Sequence, residues 1–205
     1  MFKTLTTLTV KLIGKINWGG NRYKVTGEEL EIIRTMLKKD YYLILTRHNG
    51  HLSTYSVSLA HKVLTGRWGH YTHALMNLEG DVTKDEDFRI IEANGVGVHY
   101  SYFADVLTCD SVALLKPKNM TIDEWTIVLE RVKTHLGKPY DTLFDLQQDQ
   151  RFSCISLIRN ALMASPNYHT DFAHFEAMVQ KAGNVDPNFL YECPDFEVVW
   201  ETRHR

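Results

Sequence analysis

The chain has 205 residues, enough to bury a substantial core, and one domain is the simplest organisation. Composition is that of an ordinary globular protein, with 44% hydrophobic and 23% charged residues, and 23 basic against 25 acidic residues leave a net charge of −2. That balance speaks against a nucleic-acid partner. The three cysteines, Cys109, Cys154 and Cys193, form neither a CxxC pair nor a disulfide framework, which fits a reducing compartment and an expected cytoplasmic location.

Met1 to Ile16 is rich in Thr and Leu, with Lys3, Lys11 and Lys15 interspersed. Lys11 interrupts the apolar stretch, so a signal peptide is not expected, and no run of about 20 apolar residues could span a membrane. An interfacial contact through residues 1–16 stays open beside the plainer expectation that they pack on their own domain. After the loop Asn17–Asn21, Thr26-Gly27-Glu28-Glu29 is a capping box opening a helix through Leu30, Ile33 and Met36 to Lys38-Lys39-Asp40. Tyr41–Thr46 reads as a buried strand. Arg47–Gly69 is polar, holds His48, His51 and His61, and suggests a short helix around Val57–Leu64.

Tyr71–Met76 reads as a strand, closed by a turn at Glu79-Gly80-Asp81. Arg89–Ala93 is the next strand, and Asn94-Gly95 signals a hairpin into Val96–Tyr100. Ser111–Leu115 follows as a strand ended by Lys116-Pro117. Thr121–Glu124 is a second capping box, for a helix through Trp125, Val128, Leu129 and Val132 that Gly137-Lys138-Pro139 stops. A further helix is expected over Asp171–Lys181, with Gly183 after it, and a last strand over Glu197–Trp200. The pattern is α+β, a small antiparallel sheet packed against helices. Residues 1–40 stand as an N-terminal extension with a short helix, and 41–205 as the main domain.

The stretch carrying chemistry is Gln150–Leu162. Ile155, Ile158 and Leu162 make an apolar stripe at helical period, Ser153 is the expected N-cap, and Ser165-Pro166 ends the pattern. Cys154 then falls in the first helical turn, where free backbone N–H groups and the helix dipole favour thiolate over thiol. A nucleophilic cysteine needs a base and a group that orients the base. His73 on one strand and Glu92 on the next can lie side by side on neighbouring antiparallel strands. Glu92 sits among Ile90, Ile91 and Ala93, where a carboxylate is costly unless partnered.

Four segments in order then carry a resemblance: Thr72-His73-Ala74-Leu75-Met76, Ile91-Glu92-Ala93, Gly137-Lys138-Pro139-Tyr140-Asp141-Thr142-Leu143-Phe144 and Phe152-Ser153-Cys154-Ile155-Ser156-Leu157-Ile158. Together they resemble the circularly permuted NlpC-type papain-like cysteine hydrolases, in particular the YiiX/YebB-like group related to lecithin–retinol acyltransferases. Cys193-Pro194-Asp195-Phe196 is similar to the family's late Pro-Asp-Leu segment, and the resemblance runs from about Tyr41 to Trp200. It implies a papain-like fold in which Cys154 is the nucleophile, His73 the base, Glu92 its orienting carboxylate, and Tyr140 a neighbour helping to hold the oxyanion. The family's Cys-Ser-Glu is Cys154-Ile155-Ser156 here, its His-x-Gly is His73-Ala74-Leu75, and its opening Gly-Asp-Ile is Tyr41-Tyr42-Leu43.

The expectation is a cofactor-free cysteine hydrolase cleaving an amide or ester through a thioester. Its substrate would be a peptide, a peptidoglycan stem-peptide fragment or a lipid-like acyl group. A lipid acyl hydrolase or acyltransferase, and a non-catalytic binding protein on the same fold, are the alternatives. A metal site would rest on His70-x-x-His73, His48-x-x-His51 and Glu92. Spacing of i, i+3 joins two histidines on one face only in a helix, which His70–His73 does not suggest.

Overall fold

Backbone pairing, not helix packing, sets the frame. In a computed structural model of the chain, which describes residues 25–49, 52–78, 89–103, 108–142, 144–146 and 149–202, six strands form one antiparallel sheet. The strands are β1 (Leu43–Arg47), β2 (His73–Asn77), β3 (Arg89–Asn94), β4 (Gly97–Tyr102), β5 (Ser111–Pro117) and β6 (Phe196–Glu201). Their spatial order is β4-β3-β2-β1-β5-β6. Met1–Ile16, the loop Asn17–Asn21, His51 and the turn at Glu79-Gly80-Asp81 lie outside the described residues.

The central strands read as continuous apolar runs because both faces of the sheet are covered. Leu43 and Leu45, Ala74 and Met76, Ile91 and Ala93, and Ala113 and Leu115 join one buried cluster. The residues between them, Ile44, Leu75, Ile90, Val112 and Leu114, join the other. This is the period of two that a strand imposes on its side chains. On the first face lie α3 (Ile122–Lys133) and α4 (Cys154–Leu162), α3 against α4 and α4 against β2 and β3. On the second lies α1 (Gly27–Lys39), which buries Ile33 and Leu37 against the sheet. Each such fully buried aliphatic side chain contributes about 1.5–3 kcal/mol.

The three N-caps expected at Thr26, Thr121 and Ser153 are reciprocal. Thr26 and Glu29, Thr121 and Glu124, and Ser153 and Ser156 each exchange side-chain-to-backbone hydrogen bonds across the first turn. The remaining helices are α2 (Leu52–Thr65), α5 (Tyr168–Asp171), α6 (Ala173–Ala182) and α7 (Pro187–Glu192).

Four expectations need adjusting. The helix expected around Val57–Leu64 spans Leu52–Thr65, because its inward face is polar (Thr54, Ser58, His61) and apolar periodicity does not mark its start. The Asp171–Lys181 helix begins at Ala173, since Phe172 (φ −122°, ψ 31°) breaks it from α5. The six-residue α7 was not foreseen, although Asp186 capping the Asn188 N–H with Pro187 at the first position is a recognised helix start. In the β3–β4 hairpin the two turn residues are Gly95 and Val96, with Asn94 and Gly97 as the closing pair. Asn94 Oδ1 accepts from the Val96 N–H at 3.1 Å, so its side chain closes the turn.

Gly97 locks the hairpin to the segment that leads towards Cys154. It has φ +113°, and a Cβ built there would lie 2.6 Å from the Lys138 carbonyl oxygen. That close approach permits the Val98 N–H to bond the Lys138 carbonyl (2.8 Å) and the Gly137 N–H to bond the Val98 carbonyl (2.9 Å). Replacing Gly97 by Ala adds left-handed strain to a backbone clash, so Gly97→Ala should lower stability by roughly 2–4 kcal/mol, read as a lower urea midpoint with unchanged slope.

Candidate functional site

Cys154 is the first residue of α4 and is 6% exposed. Ser153 ahead of it has extended backbone, its Oγ accepts from the Ser156 N–H (3.2 Å), and Ser156 Oγ accepts from the Ser153 N–H (2.8 Å). Ser156 thus fills the capping-box position where the resembling family has Glu. The Cys154 and Ile155 N–H groups fall in the first turn, where no intrahelical carbonyl can reach them, and they remain available to an anionic oxygen.

The approach to this helix is held from two sides. The Phe152 N–H bonds the Pro139 carbonyl, and the Asp141 N–H bonds the Phe152 carbonyl, both at 3.0 Å. Tyr140 and Phe152 therefore pair as a short parallel bridge. Phe152 is fully buried beside His135, ring centroids 4.4 Å apart. Tyr140 is carried beside Cys154 by this pairing, and its ring meets Phe144 edge-on at 6.4 Å. Burial, then the charges of Cys154 and Asp141, push the Tyr140 phenol up, so it stays protonated and able to donate.

His73 opens β2. The pairs Met76↔Ile91 and Asn77↔Ile90 set the β2–β3 register. His73 Nε2 meets Glu92 Oε2 at 2.6 Å, which leaves Nδ1 as the ring nitrogen not engaged by Glu92, and Cys154 is the second group that acts on the ring. Burial works to lower the His73 pKa, but the bonds to Cys154 and Glu92 and attraction to their charges outweigh it and raise it to about 10. For Glu92 burial works upward, and the bonds to His73 and Ser101, with attraction to His73 and His99, bring it down to about 2. Glu92 is therefore a carboxylate that accepts the His73 Nε2 proton.

Sequence reasoning missed the other half of the Glu92 environment. Ser101 Oγ donates to Glu92 Oε1, and His99 Nε2 lies 3.5 Å from the same oxygen. His99 Nδ1 lies 3.0 Å from the Gly97 carbonyl, an acceptor, so Nδ1 carries the proton. The signal for both was the hairpin itself: its register pairs Glu92 with His99 and Ile90 with Ser101. Cys154, His73, Glu92 and Tyr140, named from the sequence, are thus brought together.

The histidine pair His70 and His73 separates. The His70 N–H bonds Asn188 Oδ1 at 2.7 Å, and its ring packs edge-on against Tyr71 with centroids 4.7 Å apart. Among the described residues no group of three or more His, Cys, Asp or Glu is arranged to hold a metal ion, and no helix is long and apolar enough to cross a membrane.

No family model and no curated protein matches the chain. A solved structure does: the metalloprotein YiiX from Escherichia coli O157:H7 aligns with a TM-score of 0.56 over 81% of this chain and 98% of its own, at 16% identity. The fold is YiiX-like. At that identity the likeness speaks for the fold alone. "Metalloprotein" is said of YiiX.

Two outcomes follow from this geometry. Burial pushes the thiols of Cys109 and Cys193 up to about 12, whereas Cys154 interacts with a His73 imidazole whose pKa is raised. Iodoacetamide near neutral pH should therefore modify Cys154 ahead of the other two, read by mass spectrometry of peptides from the native protein. The ion pair should also tune stability with pH. Glu92, held near 2, stabilises the fold above its ordinary pKa, and that contribution is lost as pH falls through about 2. His73, raised to about 10, stabilises it below 6.5, and that is lost as pH rises through about 10. The stability difference between the native chain and Glu92→Gln should be on the order of 3 kcal/mol between roughly pH 4.5 and 6.5 and shrink on either side, measured by urea unfolding across pH.

Proposed function

We propose that the chain is a cysteine hydrolase cleaving an amide or ester bond through a thioester, on a fold related to the circularly permuted NlpC-type papain-like hydrolases. One observation carries the reading. Cys154, at a helix start, acts on the His73 ring to raise its pKa, and Nε2 of that ring is held at 2.6 Å by a buried carboxylate. That is a nucleophile, a base and an orienting group in one line. The four motifs shared with the NlpC-type group and the YiiX-like fold support the same reading.

In the proposed reaction His73 Nδ1 takes the Cys154 proton and the sulfur attacks the substrate carbonyl carbon. The oxygen, now negative, is met by the Cys154 N–H and the Tyr140 hydroxyl. Collapse breaks the C–N or C–O bond, and His73 returns the proton to the departing amine or alcohol. Water, deprotonated by His73, then attacks the thioester and releases the acid and the free thiol. Glu92 stays ionised throughout and stabilises the imidazolium formed in each half. A peptide, such as a peptidoglycan stem-peptide fragment, is the first candidate substrate. A lipid acyl hydrolase or acyltransferase is the second reading, favoured by an exposed apolar helix face at the His73 end of the sheet. A binding protein without turnover is the third.

The test is a covalent one. Incubation with p-nitrophenyl acetate should add one acetyl mass to Cys154, released on standing, and should add none to Cys154→Ala. His73→Ala should slow acylation by roughly 10²–10⁴-fold. Acylation that survives in Cys154→Ala would overturn the assignment, and a chain that is never acylated would favour the binding protein.

A further inference from the structure

Helix α2 is inside out. Its buried positions are Thr54, Ser58 and His61, at i, i+4 and i+7. Its outer face exposes Tyr55 (51%), Leu59 (50%), Val63 (78%) and Leu64 (42%), and Trp68 just beyond it is 60% exposed. Two of the three inward polar residues are committed to specific bonds. Thr54 Oγ1 donates to the His48 carbonyl, and His61 Nδ1 meets Asp186 Oδ2 at 2.9 Å. The helix therefore cannot roll its apolar side inward without orphaning buried polar groups. A contiguous apolar surface fixed outward in this way marks an interaction site.

Its chemistry selects the partner. From Leu52 to Trp68 the chain carries Lys62 and Arg67 and no acidic residue. Lys62 Nζ stands 4.4 Å over the Trp68 ring, and Arg67, although bonded to Glu192 at 2.6 Å, keeps 71% of its side chain exposed. A second copy docked on this face about a twofold axis would bring those cations against their own equivalents. Aliphatic side chains flanked by Trp, Tyr and Lys are instead the composition of a helix lying in a lipid headgroup layer. Because α2 connects the end of β1 to the start of β2, where Thr46 pairs with His73, this face stands at the His73 end of the sheet.

We propose that the outer face of α2, centred on Leu59, Val63 and Trp68, docks the protein on an anionic lipid bilayer. Docking does not depend on the chemistry assigned to Cys154, so the two readings fail separately. The experiment is sedimentation of the full chain with vesicles of equal parts phosphatidylserine and phosphatidylcholine, and with phosphatidylcholine alone. The native chain should partition onto the anionic vesicles, less so at high salt, and Leu59→Glu combined with Val63→Glu should reduce partitioning by about tenfold or more. Both positions are exposed, and circular dichroism would verify that the variant is folded. No partitioning by the native chain would overturn the proposal. So would equal partitioning of the variant, which would point to Met1–Ile16, or a concentration-dependent dimer that the variant loses, which would make the partner a second copy.

Discussion

A carboxylate buried in an apolar strand is the constraint on which the site depends. Glu92 stands between Ile91 and Ala93, both fully buried, and is itself 8% exposed. Left unpartnered it would cost several kcal/mol. Its two oxygens are shared between strands: Oε2 takes the His73 ring from β2, and Oε1 takes the Ser101 hydroxyl from β4, with His99 Nε2 3.5 Å away. Satisfying one charge thereby fixes the imidazole, and it also makes β2, β3 and β4 agree in register. An arrangement with His73 elsewhere on β2 would leave the carboxylate half satisfied.

The thiol arrives by a separate route, and the two are coupled through the hairpin. β4 carries His99 and Ser101 to Glu92, and at its start Gly97 and Val98 hold Gly137 and Lys138. Pro139 then bonds Phe152, and two residues later α4 begins at Cys154. A shift of the hairpin thus moves the acceptor side and the nucleophile side of the site in concert. Each link is a backbone hydrogen bond, which is why the motif Gly137-Lys138-Pro139-Tyr140 tolerates little change in path.

What the sequence disclosed and what it withheld follow from how each element is stabilised. α1, α3 and α4 were legible because local capping pairs and an apolar stripe act within a few residues. β1, β3 and β5 were legible because burial on both faces leaves an uninterrupted apolar run. Cys154, His73, Glu92 and Tyr140 were legible through segments whose spacing resembles a known pattern. α2 was only half legible, since it buries Thr54, Ser58 and His61, and no periodicity scale credits a polar stripe with being the inner one. Ser101 and His99 were withheld for another reason. Their meaning lies in cross-strand pairing, and the turn had to be fixed at Gly95-Val96 before Glu92 could be set against His99.

The same inverted helix bears on the position of His73 from a distance. Asp186 takes the His61 ring on one oxygen, and on the other the N–H and side-chain amide of Asn188, at 2.9 and 2.7 Å. Asn188 Oδ1 in turn accepts from the His70 and Tyr71 N–H groups, both at 2.7 Å, and its amide donates to the Tyr71 carbonyl at 2.8 Å. Asn188 is 2% exposed, and all of its side-chain hydrogen-bonding capacity is used. The strand bearing His73 begins two residues after Tyr71, so its entry is fixed by an amide on α7 as well as by the Thr72 N–H bond to the Thr46 carbonyl of β1 (3.0 Å). A Cβ at Gly69 would meet Asn188 Nδ2 at 2.5 Å and His61 Cβ at 2.9 Å, which is why this approach runs through glycine. The polar inner face of α2 therefore holds one end of a network whose other end sets where the imidazole enters the site, and the helix that faces solvent with its apolar side does so to keep that network intact.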